Sequence, residues 1–165
     1  MTEPIRIVIA DDHPLFLDGL VATLSADDEI RVVAIAHDAA AAVKAARENL
    51  PDLALLDVTM PGGGLEAARQ IDVACPNTRI VMLTNSEDED QVLAAMKAGA
   101  RGYVLKGIAG RELRTVLKAV HAGEVYVAPS LAYVMLKEMS RPRTPDPLDE
   151  LTSREREVLE LVAEG

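Results

Sequence analysis

Short, continuously apolar runs recur along this chain at Ile5–Ala10, Ile30–Ala36, Leu53–Leu56, Ile80–Leu83 and Gly102–Leu105. Their starts lie about 25 residues apart, the length of a strand–helix–strand unit. A strand with one wet face alternates apolar and polar residues, whereas a strand covered on both faces has no need to. These runs do not alternate. They are expected as parallel strands sandwiched between helices.

Helical patterns fill the gaps. Pro14 suits a first helical position, and Phe16, Leu17, Leu20, Val21 and Leu24 form a stripe behind it. Ala39–Leu50 is an Ala-rich helix ended by Pro51, and Leu65–Ala74 is a third, ended by Pro76. Ser86 and Glu89 form a capping box ahead of Val92, Leu93 and Met96, with Gly99 as the stop. Glu112–Ala122 is a fifth helix that turns Leu113, Val116, Leu117 and Val120 inward, with Gly123 as its stop. The result is α/β: a (βα)5 unit around an open, doubly wound parallel sheet.

Past residue 124 the pattern changes. Val125–Val127 is short and extended, and Pro129 opens a helix over about residues 130–140. The segment RPRTPDPLDE is a stiff, Pro-rich linker. In the closing LTSREREVLELVAEG, Thr152 and Glu155 form another capping box, and Leu151, Val158, Leu159 and Val162 share one helical face. The expected organisation is an α/β domain over 1–124, a linker over 125–150 and a terminal helix over 151–165.

Composition narrows the partners. The net charge of −10 argues against a dominant nucleic-acid or anionic-membrane surface on the chain as it stands. With one Phe, three Tyr and no Trp, the core must be aliphatic. Cys75 is the single cysteine, which excludes an internal disulfide and suits a small apolar filler. The N-terminus is too short and too acidic for a signal peptide, and no apolar run reaches spanning length, so a cytoplasmic location is expected.

Ligands of an open parallel sheet bind beyond the carboxyl ends of its strands. The first strand ends on Asp11 and Asp12, the third on Asp57, the fourth on Thr84 and the fifth on Lys106. One such aspartate is ordinarily a turn residue. An acid pair, an acid, a hydroxyl and a lysine on one rim is a pattern that turn chemistry does not explain. Clustered carboxylates repel and raise each other's pKa unless cations offset them. Carboxylate oxygens and waters are what Mg2+ takes, and Lys106 adds a second positive charge. Such a site suits phosphoryl transfer onto Asp57 as a carboxylate nucleophile, with Mg2+ and Lys106 stabilising the transferring oxygens. Thr84 offers a hydroxyl to follow the phosphoryl group.

From Ile5 to about Gly123 the chain resembles a two-component receiver domain, through IADDHPLFLDGL, LLDVTMPGGGLEAAR, VMLTN and AGARGYVLKG. The resemblance implies a flavodoxin-like five-stranded sheet in the order 2-1-3-4-5. It implies that Asp57 is the phosphoacceptor, that Asp12 binds Mg2+ directly with Asp11 assisting, and that Thr59 contributes its backbone carbonyl. Thr84 becomes the switch hydroxyl, Lys106 the phosphate-pairing lysine, and Tyr103 the aromatic that swings inward on activation. Gly107 departs from the Pro or Asp that many receivers carry after the lysine. DDHP and LTSREREVL further resemble the NarL/FixJ group of response regulators. The resemblance then makes 151–165 the first helix of a LuxR-type helix-turn-helix domain that is incomplete at Gly165, so this chain is not expected to bind DNA specifically. It also implies a sensor histidine kinase as partner and a homodimer on phosphorylation.

Other features have plainer readings. His13, beside the acidic pair, is read as a surface or helix-start residue, with lining of the pocket mouth as the alternative, rather than as a metal ligand. Arg111, Arg114 and Lys118 form a solvated helix face or else pair with another subunit. Glu87–Asp90 complements a helix N-terminus. The glycines of PGGG follow the third strand, so they are no dinucleotide fingerprint. Two other functions compete: a stand-alone receiver acting through protein contacts, and a haloacid-dehalogenase-like phosphatase. The latter needs an aspartate where Thr59 stands. The chain is therefore expected to be a phosphoacceptor rather than an enzyme.

Overall fold

A computed structural model describes residues 3–85, 89–129, 132, 133, 136 and 137. Strands and helices alternate: β1 (Ile5–Ala10), α1 (Pro14–Ser25), β2 (Ile30–Ala36), α2 (Ala39–Asn49), β3 (Leu53–Asp57), α3 (Gly64–Ala74), β4 (Arg79–Thr84), α4 (Glu89–Lys97), β5 (Gly102–Leu105), α5 (Gly110–His121) and β6 (Tyr126–Val127). Every strand pair is parallel, in the order β2-β1-β3-β4-β5-β6. The order reverses between β1 and β3, which opens a crevice at their carboxyl ends.

The sheet has six strands where five were expected. The outer carbonyls of β5 supply the reason. Tyr126 N–H donates to Arg101 O and Ala128 N–H to Tyr103 O, both at 3.0 Å, so the extended segment after α5 satisfies an edge that would otherwise face water.

Alternation along the strands divides the core into two layers. Ile7, Ile9, Leu53, Leu55, Val81, Leu83 and Val104 face α1 and α5, which return Leu17, Leu20, Leu24, Leu113, Leu117 and Val120. Ala54, Leu56, Ile80, Met82 and Tyr103 face the other way, toward Ala42, Ala46, Ala67, Ala68, Ile71 and Ala95 of α2, α3 and α4. Small side chains on that side let the helices lie close to the sheet. Cys75 is buried in the same layer, as a filler should be.

Local chemistry starts and stops the helices as expected. Pro14 sits in the first turn of α1, and the Asp38 side chain caps α2 by accepting from Ala41 N–H at 2.7 Å. Leu50 ends α2 in a left-handed conformation (φ 45°) ahead of Pro51. Ser86 lies outside the described residues, as do the closing helix and most of the linker. Helical backbone is present at Pro129, Ala132, Tyr133, Leu136 and Lys137.

The loop from β3 to α3 depends on close backbone approach. A Cβ on Gly64 would lie 2.0 Å from Asp57 O, and one on Gly62 would lie 2.8 Å from the Ala39 Cβ. Backbone atoms have nowhere to retreat. Gly64→Ala should therefore destabilise the domain by about 1–3 kcal/mol, read as a lower urea midpoint.

The basic face of α5 binds within its own chain. Lys118 Nζ lies 2.8 Å from Asp27 and 2.9 Å from Glu29, and Arg114 donates to Thr23 O at 3.2 Å. Lys118, and then the Glu29 N–H, hold the Asp27 carboxyl below its usual range. A lowered carboxyl pKa contributes stability that is present above the unfolded value and is lost as pH falls through the folded one. Lys118→Met should lower Tm at neutral pH. The gap from the wild type should close as pH falls below the usual carboxylate range, which thermal melts across that range would check.

Candidate functional site: an acidic crevice at the carboxyl edge of the sheet

The crevice is built from strand ends. Asp11 follows β1 and is fully buried; its N–H donates to Ala36 O at 3.1 Å, which ties it to the end of β2. Asp57 is the last residue of β3 and is 1% exposed. Register carries the rest. Asp57 pairs with Leu83, which leaves Thr84, also fully buried, as the next position on the neighbouring strand. Thr84 in turn pairs with Leu105, and Lys106 N–H donates to Thr84 O at 2.8 Å. Parallel pairing therefore brings Asp57, Thr84 and Lys106 to adjacent strand ends.

The lysine neutralises the buried acids. Its Nζ lies 2.7 Å from Asp11 Oδ2 and 3.3 Å from Asp57 Oδ1. The same ammonium stands over the Phe16 ring, 4.8 Å from its centroid. Gly107, the departure noted above, lies in a turn closed by Ile108 N–H on Leu105 O at 3.0 Å. The loop after β3 supplies donors, with Thr59 N–H 3.3 Å from Asp57 Oδ1 and Thr59 Oγ1 3.4 Å from both carboxylate oxygens. Asp12 sits at the rim with its side chain 35% exposed. Tyr103 is fully buried in the layer beneath α2–α4, so its ring already occupies an inward position.

Among the described residues, Asp11, Asp12, His13 and Asp57 offer ligand atoms that all lie within 4.8 Å of one another. Three of the four are carboxylates, the hard oxygen donors that Mg2+ prefers. The electrostatics point the same way. Burial, and then the charge of Asp11, push the Asp57 carboxyl above its ordinary value, against the pull of Lys106 and the Thr59 N–H. One ammonium does not fully offset the acids, and a divalent cation suits the surplus.

The seven residues expected at the site divide by position. Lys106 contacts both Asp11 and Asp57, Thr59 contacts Asp57, Asp12 stands at the mouth, Thr84 is on the adjoining strand end, and Tyr103 lies beneath. Sequence reasoning missed Phe16 and gave His13 a place at the pocket mouth only as the alternative. His13, read as a helix start, does cap α1, but its Nδ1 turns back to Asp11 Oδ1 at 2.9 Å and Asp12 Oδ1 at 3.2 Å. Phe16, read as part of an apolar stripe, lies under the lysine. The available signal for Phe16 was its place in the first turn of the helix that follows an acidic strand end.

Comparison with known proteins agrees with this geometry. The sequence profile of the response regulator receiver domain matches residues 7–118. The chain is 36% identical over 169 residues to the oxygen regulatory protein NreC of Staphylococcus epidermidis, covering 97% of this chain and 78% of that protein. The receiver domain of the response regulator NarL from Mycobacterium tuberculosis superposes with a TM-score of 0.72 at 35% identity, over 74% of this chain and all of that one. The Salmonella typhimurium RcsB response regulator, studied for its conformational dynamism in DNA interaction, superposes with a TM-score of 0.75 at 27% identity, over 99% of this chain and 79% of that one. This chain belongs to the response regulator family, through a flavodoxin-like receiver domain. Within that family it falls in the NarL/FixJ group.

Asp57 gives a test of the electrostatics. An acid whose folded pKa is raised costs no stability below its unfolded value. The cost grows as pH rises toward the folded value and is constant above it. Asp57→Asn should therefore raise Tm at neutral pH without added metal, by roughly 2–4 °C if the relief is about 1 kcal/mol in a chain of this size. The gain should shrink as pH falls toward the ordinary carboxylate value of 3.8. Differential scanning calorimetry of the two proteins at several pH values checks it.

Proposed function

We propose that the domain is a phosphorylation switch. Asp57 accepts a phosphoryl group from a sensor histidine kinase in a reaction that needs Mg2+, and the modified form changes conformation and self-association to control transcription. The observation that carries this reading is the buried Asp57 carboxylate with the Lys106 ammonium 3.3 Å away, at the mouth of the sheet.

An Asp57 oxygen attacks the phosphorus of a phosphohistidine. The P–N bond breaks, its electron pair returns to the imidazole, and that ring then takes up a proton. The product is an acyl phosphate on Asp57. Asp11, Asp12 and Asp57, with the Thr59 carbonyl, would hold the cation, which when bound neutralises charge on the transferring oxygens. Lys106 bridges Asp11 and Asp57 from the outset and afterwards pairs with the new phosphoryl oxygens. Thr84, one strand over, turns its hydroxyl to the same group, and the ring of Tyr103 supports the rearranged β4–β5 edge. The domain is a phosphoacceptor rather than an enzyme, and any hydrolysis is of its own aspartyl phosphate.

The likeness to RcsB supports an output through DNA, carried by a LuxR-type domain that residues 151–165 would open, and a dimer as the phosphorylated form. A cytoplasmic location fits that role, and none of the described helices is long and apolar enough to cross a membrane.

Incubation with acetyl phosphate and Mg2+ should add one phosphoryl group by intact mass. Asp57→Asn should take none, and chelation of Mg2+ should stop the wild-type reaction. Full labelling of the Asn variant would overturn the assignment.

A further inference from the structure

We infer that His13 competes with the divalent cation at this site: its imidazole sits between the carboxylates of Asp11 and Asp12 and must leave for the cation to bind. This rests on the cation-dependent reading above and concerns how that site is regulated.

The ring is placed by two independent bonds. The His13 backbone N–H donates to Asp11 Oδ1 at 2.8 Å, which fixes where the side chain starts. Its Nδ1 then lies 2.9 Å from that same oxygen, 3.2 Å from Asp12 Oδ1 and 4.0 Å from Asp57 Oδ2. Three carboxylates favour the tautomer with the proton on Nδ1, against the Lys106 ammonium 3.3 Å away. An Nδ1–H has no lone pair to give a metal, and Mg2+ prefers oxygen donors to imidazole. His13 is therefore a hydrogen-bond donor standing among the cation's ligands, and not itself a ligand. Lys106 Nζ lies 3.3 Å from the same Nδ1, so three donors already crowd Asp11: this ring, the ammonium and the His13 N–H.

Leaving is easy. The His13 side chain is 57% exposed, so it has open solvent to swing into. The backbone bond to Asp11 stays, since the start of α1 holds it. Removing the ring should leave the carboxylates unoccupied by a side-chain donor and strengthen cation binding. An Asn side chain can put an amide N–H close to the position of Nδ1, and should preserve the competition.

The test is a calorimetric titration with MgCl2 at one fixed pH and ionic strength, without phosphodonor. The wild type, His13→Ala and His13→Asn are compared, each first shown to melt cooperatively. The Ala variant should bind Mg2+ about three- to tenfold more tightly than the wild type, the net scale of one ordinary hydrogen bond. The Asn variant should stay within about twofold of the wild type, because the donor is kept. Imidazole NMR signals absent from the Ala variant should shift as Mg2+ is added to the wild type, while those of His37 and His121 stay in place. Equal or weaker binding by the Ala variant, with normal binding by the wild type, overturns the inference and leaves the phosphorylation reading intact. No Mg2+ binding by any of the three proteins overturns both.

Discussion

Two carboxylates buried at the end of a hydrophobic core set the terms for the rest of this molecule. Asp11 and Asp57 have almost no contact with water, and each is held by the ammonium of Lys106. Charges taken out of water are costly, and a single buried partner only partly repays them. The protein meets that cost by precise placement. β1, β3 and β5 must end at matching depth, so the register across β3, β4 and β5 is constrained by charge as well as by packing. The raised pKa of Asp57 records what the balance leaves over.

The scaffold around the crevice is built to different tolerances on its two sides. Beneath α1 and α5 the sheet meets Leu, Val and Ile, whose bulk sets the spacing. Beneath α2 and α3 it meets Ala, and the loop from Asp57 to Gly64 leads into α3 beside the N-terminus of α2. Ala39 N–H donates to Pro61 O at 2.9 Å and Gly64 N–H to Val58 O at 3.0 Å, so the loop that carries Thr59 is pinned at both ends by backbone. Small residues there allow close approach, which keeps the Thr59 donors within reach of Asp57.

Much of this was legible in the sequence. The unbroken apolar runs marked β1 to β5, and Pro14, Pro51 and Pro76 marked helix boundaries, because each signal is local. The acids and lysine at the strand ends were legible for the same reason: parallel register turns sequence position into depth. Tyr126 and Val127 were read as extended but not as part of the sheet, because what recruits them is the row of carbonyls on β5, which no pattern in their own segment reveals. The intrachain pairs of Lys118 and Arg114 were equally hidden, since Asp27 and Glu29 lie far away along the chain. The contacts of the His13 ring were hidden because it folds back on the residue two before it, a choice of rotamer and not of spacing.

The short sixth strand also bears on how the protein behaves when crowded. An exposed sheet edge is a template for pairing with another chain, and its hazard grows with length. β6 covers β5 and offers an edge only two residues long. The opposite edge, β2, runs for seven residues, though Arg31 stands exposed near its start. Among the described residues, strand-to-strand aggregation of the folded domain thus has one practical starting place. It lies on the far side of the sheet from Lys106, so loss of solubility by that route would begin away from the acidic crevice.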